Sequence, residues 1–199
     1  GRSPKVLFNN LINSKINWDN IYLMASDERI VSLTSVDSNT GMIQRELVDR
    51  IKSRNKPKLI NFYQSEKKSI ENRLNRLEKY LSIDSPKIAF LGIGKDGHTA
   101  GIFKENKTPN NCYLLKNKMD PYYRITISMN MLMKIPYLIF FVFGSEKKQS
   151  LKNILIDKDY KKFIPVKFLL KNGLGEKIIF CDKKAAPNDF NKGESIIIL

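Results

Sequence analysis

The run Ile88-Ala89-Phe90-Leu91 stops directly on Gly92-Ile93-Gly94-Lys95-Asp96-Gly97-His98-Thr99-Ala100-Gly101, and this junction limits what the chain can fold into. A short apolar run bounded by glycine reads as a buried strand. A strand that ends on a glycine-rich turn belongs at the carboxyl edge of an open α/β sheet, where ligands bind. The glycines permit positive φ and close approach of a ligand. The turn carries His98, the only histidine in the chain and so the one side chain that ordinarily titrates near neutral pH. Asp96, two residues earlier, can accept a hydrogen bond from the imidazole and fix its tautomer. A lone histidine is also an ordinary turn residue, but the flanking glycines favour an active site.

Around this junction, short apolar runs alternate with helical patterns, which argues for a mostly parallel α/β sheet with helices on both faces. Ser3-Pro4 reads as a helix cap with proline in the first turn, followed by Leu7, Leu11 and Ile12 on one face. Ile21–Ala25 reads as a strand, and Ser38 as the cap of a helix carrying Ile43, Leu47 and Ile51. Ile70, Leu74, Leu77 and Leu81 recur at helical spacing and predict an amphipathic helix near residues 65–82. Tyr123–Ser128 alternates like a strand, and Tyr137–Phe143 is a continuous apolar run suited to a central one. Gly144 ends it ahead of a helix through Leu151, Ile154 and Leu155, and Ile178–Cys181 and Ile196–Leu199 read as closing strands. The cluster Met129, Met131 and Met133 reads as core filler. The pattern gives one domain over residues 1–199, without a repeat or a linker. Because the chain opens on a helix cap with no strand before it, either a strand and its loop are missing ahead of Gly1 or the sheet is built differently; the expectation is a domain truncated at its N-terminus, whose sheet lacks its first strand. Gly1 is then expected at the sheet's carboxyl edge, beside the His98 turn.

Composition narrows the class. With 42% hydrophobic residues the chain should fold, and no apolar run has the length of a membrane span. Cys112 and Cys181 lie far apart, and one histidine with two cysteines makes a metal site improbable. A reducing cytoplasm fits this cysteine usage. The net charge of +15 favours an anionic or phosphorylated partner. The basic residues are spread along the whole chain without a nucleic-acid-binding motif, so solvated lysine faces are the default reading.

Several segments, in order, resemble 6-phosphogluconolactonase, a family of the sugar-phosphate isomerase-like α/β superfamily. Gly1-Arg2-Ser3-Pro4-Lys5 looks like the end of that family's phosphate loop, with Arg2 where serine or threonine is usual. Ser26-Asp27-Glu28-Arg29, then Asp37-Ser38-Asn39 and Gly41-Met42, match its Asp-Glu-Arg and Asp-Ser-Asn-x-Gly segments. Ser26 stands where glycine is usual. Leu91–Ala100 matches its histidine signature, and Arg124-Ile125-Thr126 and Gly144-Ser145-Glu146-Lys147 match its later elements. Pro165 and Asp182–Ala186 echo its carboxyl-terminal pattern more weakly. Amino-sugar-phosphate deaminases of the same superfamily follow the histidine turn with Asn-Glu-Pro, whereas here it continues Thr99-Ala100-Gly101-Ile102-Phe103.

The resemblance implies hydrolysis of 6-phosphoglucono-δ-lactone without a cofactor or metal. His98 is the expected general base on water, oriented by Asp96. The oxyanion needs preorganised donors, expected from the amides of the turn, Gly94 and Gly97 among them, with Arg29. Ser3 at a helix N-terminus suits the phosphate, with Arg2 nearby. Arg124 and Lys147 are expected to add a bidentate clamp and a point charge. Asp27 either binds substrate hydroxyls or caps its loop, while Asp37 and Asn39 are assigned to capping and turning. Arg29 has an alternative in a local salt bridge with Asp27 or Glu28. The expected partner is the small sugar-phosphate lactone, with no membrane and no nucleic acid, and a monomer is compatible with this. The competing readings are an amino-sugar-6-phosphate isomerase or deaminase, and a non-catalytic basic relative that binds polyanions.

Overall fold

The computed structural model describes residues 3–61, 69–116, 120–156, 162–188 and 196–198. Helix α1 (Ser3–Ile12) opens them, as the Ser3-Pro4 signal predicts. Strand β1 (Tyr22–Leu23) is shorter than the apolar run suggests, and β2 (Asp27–Arg29) is built from the polar Asp-Glu-Arg segment. Helix α2 (Asn39–Ile43) is capped by Ser38, whose hydroxyl accepts from the Gly41 N–H at 2.8 Å. It continues as one π-helical segment, Gln44–Val48, which buries Leu47 and Val48. Strand β3 (Lys58–Leu59) follows, then α3 (Ile70–Ile83), capped by Ser69 and burying Leu77 and Leu81. The part of this predicted helix before Ser69 lies outside the described residues.

Strand β4 (Ile88–Gly92) leads into the histidine turn, and β5 (Cys112–Lys116) and β6 (Tyr123–Ile127) follow it. Ser128 caps α4 (Met129–Lys134) by accepting from the Met131 N–H at 3.1 Å. Strand β7 (Tyr137–Val142) ends at Gly144, where a single 3-10 turn, Ser145–Lys147, leads into α5 (Lys148–Leu155). Helix α6 (Pro165–Asn172), β8 (Glu176–Cys181) and β9 (Ile196–Ile198) complete the chain. Strands β2, β3 and β5 and helices α4 and α6 were not anticipated from the pattern.

The central sheet is parallel, in the order β4-β7-β8-β9, with Ile88 opposite Tyr137 and Gly92 opposite Phe141. Strands β1 and β3 form a separate parallel pair. A three-stranded antiparallel sheet, β2-β6-β5, stands apart from both. One face of the central sheet makes the main core: Leu91, Leu138, Phe140, Val142 and Ile179 pack with Leu81, Leu132, Leu151 and Leu169 from the helices. Met129 and Met131 are buried there, in the filler role read from their sequence. Phe140 and Leu138 are fully enclosed, and each such side chain contributes about 1.5–3 kcal/mol of transfer free energy.

The other face carries stacked rings, Phe90–Phe141 at 6.1 Å and Phe141–Phe180 at 5.5 Å between centroids. Phe90 is 44% exposed and Ile88 50%. The expectation that Ile88–Leu91 is buried throughout is therefore half right, because only Ala89 and Leu91 point into the core. Gly1 lies outside the described residues, so its expected place beside the His98 turn does too. Among the described residues no helix is long and apolar enough to cross a membrane.

Candidate active site

The histidine turn closes on itself. The Gly94 N–H donates to the His98 carbonyl at 2.8 Å and the Gly97 N–H to the Gly94 carbonyl at 3.0 Å. Gly97 has φ +79°, open to glycine at little cost, and a Cβ on Gly94 would collide with the His98 ring. Neighbouring elements hold the turn from outside. Ser150 of α5 donates its hydroxyl to the Gly94 carbonyl at 2.9 Å and also to that of Lys95. The Val166 N–H at the start of α6 donates to the Gly97 carbonyl at 3.2 Å, and Thr99 Oγ1 donates to the Gly92 carbonyl at 2.9 Å. These bonds correct one expectation: the Gly94 and Gly97 amides are committed within the turn and are not donors for an oxyanion.

His98 Nδ1 lies 2.5 Å from Asp96 Oδ1, the pairing read from the sequence, and the His98 N–H reaches the same oxygen at 3.2 Å. Burial pulls the Asp96 carboxyl up, but these two hydrogen bonds outweigh it and hold the group below its ordinary value. An ionised carboxylate only accepts. Nδ1 therefore carries a proton, and in the neutral imidazole the lone pair is on Nε2. Phe103 lies against the imidazole, with centroids 4.5 Å apart, and limits its rotation. The His98 side chain is about one third exposed.

Lys147 stands beside this turn. Desolvation pushes its ammonium below the ordinary lysine value; the Lys95 charge adds to that push, while Glu146 and Asp96 oppose it. Lys147 is half-buried there. Lys95, not singled out in the sequence, supplies a second cation from the turn itself.

On the other side the turn ends against the antiparallel sheet. The Gly101 N–H donates to Thr126 Oγ1 at 3.0 Å, and Thr126 is paired in register with Asp27. Alternation along β2 and β6 then sets Asp27, Arg29, Arg124 and Thr126 on one face. Arg124 Nη1 donates to Asp27 Oδ2 at 2.7 Å, and Nε donates to Asp120 Oδ2 at 2.8 Å, with Nη2 on the same Asp120 oxygen. Its side chain is 13% exposed. The bidentate fork expected to clamp phosphate is thus taken up by two carboxylates. Arg29 is more open and does not pair locally: Nη1 donates to the Asp37 carbonyl at 2.9 Å and Nε faces Asp120 Oδ2 at 3.7 Å.

Asp27 is desolvated, which raises its carboxyl above the ordinary value against the pull of Arg124. Asn39 orients it, donating Nδ2 to its carbonyl at 2.8 Å and to Oδ1 at 3.3 Å. Asn39 therefore does more than turn the chain. Glu28, buried between them, accepts from the Asn39 and Thr40 N–H groups and from Ser38 Oγ, and so fastens β2 to the start of α2. Arg2 lies outside the described residues, and Ser3 is described only as the first residue of α1. Among the described residues no cluster of three or more His, Cys, Asp or Glu side chains could hold a metal ion.

The pattern of the family described as glucosamine-6-phosphate isomerases/6-phosphogluconolactonase matches residues 1–179. A 6-phosphogluconolactonase of Helicobacter pylori is 32% identical over 162 residues, 78% of this chain and 69% of that one. The solved structure of the 6-phosphogluconolactonase of Thermotoga maritima superposes with a TM-score of 0.75 at 27% identity, covering 91% of this chain and 81% of that one. A monomeric glucosamine-6-phosphate deaminase shares the fold, with a TM-score of 0.72 at 16% identity over 92% of this chain and 82% of that one.

Proposed function

The chain belongs to the family of glucosamine-6-phosphate isomerases and 6-phosphogluconolactonases, and from that membership we propose that it hydrolyses 6-phosphoglucono-δ-lactone to 6-phosphogluconate. The observation that carries this choice is the His98–Asp96 pair on its closed turn. An imidazole with its proton on Nδ1 offers Nε2 as a base, which is what attack of water on a cyclic ester needs.

His98 Nε2 takes a proton from water as the oxygen adds to the lactone carbonyl. Asp96 holds the imidazolium that results. Arg29 supplies the donor for the carbonyl oxygen as it becomes an oxyanion. The C–O bond to the ring oxygen then breaks, and the imidazolium returns its proton to that leaving oxygen. Lys147, with Lys95 beside it, holds the phosphate, assisted by the helix start at Ser3 and by Arg2. Asp27 is assigned to the substrate hydroxyls. A cytoplasmic setting, action as a monomeric single domain and the absence of a nucleic-acid partner go with this reading.

The test is an assay of the purified protein on fresh 6-phosphoglucono-δ-lactone, with spontaneous hydrolysis subtracted, beside glucosamine 6-phosphate. Hydrolysis of the lactone without release of ammonia from the amino sugar supports the proposal. Ammonia release without lactonase activity, or neither activity, overturns it.

A further inference from the structure

Arg29 and Arg124 are directly opposite each other across the β2–β6 pair. Like charges in that position repel, so the pair needs a counter-ion. Asp120 provides it: Oδ2 accepts from Arg124 Nε at 2.8 Å and from Nη2, and faces Arg29 Nε at 3.7 Å. The carboxylate is itself fixed, because Oδ1 accepts from the Tyr122 N–H at 3.0 Å. Tyr122 acts a second time, donating its hydroxyl to Asp37 Oδ2 at 3.1 Å, while the carbonyl of the same Asp37 accepts from Arg29 Nη1 at 2.9 Å. The short Asp120–Tyr122 segment thus meets Arg29 from two sides, once directly and once through Asp37.

Exposure divides the roles of the two arginines. Arg124 is 13% exposed and closed in by Asp27 and Asp120, whereas Arg29 is 27% exposed. We propose that Asp120 is a positioning residue for Arg29: with Arg124 as a buried brace, it aims the Arg29 guanidinium at the reacting carbonyl. The inference rests on the lactonase reading for what Arg29 does, but not for how Arg29 is held. Asp120 lies outside the segments that carry the family resemblance.

The experiment compares the wild type, Asp120→Asn, Asp120→Glu, Arg29→Ala and Asp120→Asn combined with Arg29→Ala. Each is checked for an unchanged circular dichroism spectrum. Loss of an aimed donor acts on the transition state, so Asp120→Asn lowers kcat by about tenfold and leaves KM within about twofold. Asp120→Glu, which keeps the carboxylate, recovers most of that loss. In the Arg29→Ala background Asp120→Asn costs less than about twofold more, because residues that act through one another are not additive. Additive losses, or an Asp120→Asn variant with wild-type kcat, overturn the inference. A second readout is independent of turnover. The Arg29 and Arg124 Nε–H signals in 15N-edited NMR spectra shift and exchange faster with water in Asp120→Asn if the carboxylate holds both groups. Unchanged signals overturn the bracing. A wild type without lactonase activity refutes the functional reading alone, and the NMR comparison then decides the bracing.

Discussion

His98 depends on a few atoms. Its Nδ1 is bonded to Asp96, its ring lies on Phe103, and Nε2 is left as the base. Replacement by alanine should lower lactone hydrolysis by about two to four orders of magnitude above the spontaneous rate, with the fold retained. Near-native turnover in that variant would remove His98 from the reaction. The Asp96 carboxyl titrates below its ordinary value because the hydrogen bonds to His98 outweigh the upward pull of burial. A carboxyl lowered by folding contributes stability that is complete above the unfolded value and is lost as pH falls through the folded one. Asp96→Asn should therefore lower stability at neutral pH and flatten its acid-side slope, the variant and the wild type converging at low pH, which urea unfolding across a pH series reads directly. The same variant should lose activity at neutral pH, since an amide oxygen holds the imidazolium less well than a carboxylate. At this scale the sequence was informative, because His98 and Asp96 are two residues apart and meet locally. The partners of Arg29 and Arg124 were not legible. Asp27 and Arg124 are 97 residues apart and meet only through the register of β2 on β6.

Among the elements, α5 and α6 matter most to the site, although neither carries His98. Helix α5 buries Leu151 and Ile154, and the residue between them and the turn, Ser150, is 3% exposed with its hydroxyl on two turn carbonyls. Ser150→Ala removes one of two donors from the Gly94 carbonyl and the Ser150 donor from that of Lys95, at a cost of about 0.5–1.5 kcal/mol. The expected outcome is a lower unfolding midpoint together with a fall in kcat, because the turn loses one of its supports. An unchanged kcat would show that Val166 and the internal bonds suffice. The helical pattern predicted α5, but not that its polar residue would reach the turn. Strand β2 was hidden for a related reason: Asp-Glu-Arg has no apolar alternation, and its strand geometry comes from pairing with β6 and from Glu28 tying it to α2. Strand β4 was found from its apolar run, but an apolar run does not say which face of the sheet is covered. Ile88 and Phe90 are accordingly exposed while Ala89 and Leu91 are buried.

For the whole molecule, the net charge of +15 favours an anionic substrate at long range. Such attraction is screened over a Debye length of about 8 Å at physiological ionic strength. KM for the phosphorylated lactone should therefore rise with added salt, while kcat changes little, since the reacting carbonyl is uncharged. A steady-state series from low to high potassium chloride tests this, and a KM independent of salt would leave only contact charges such as Lys147. The alternation of apolar runs and helical patterns was enough to read an α/β fold. The separate antiparallel sheet was not legible, because the run Cys112–Lys116 resembles any short edge segment until β6 pairs with it.

The histidine turn is bonded within itself and supported by Ser150, Thr99 and Val166, none of which is expected to touch the lactone. The loss of conformational freedom needed to hold the imidazole in place is therefore incurred when the chain folds and not when the lactone arrives. Binding free energy from the phosphate end is then left to orient the ring. The hydrogen-exchange protection of the Gly94 and Gly97 amides should accordingly be the same before and after a product analogue binds.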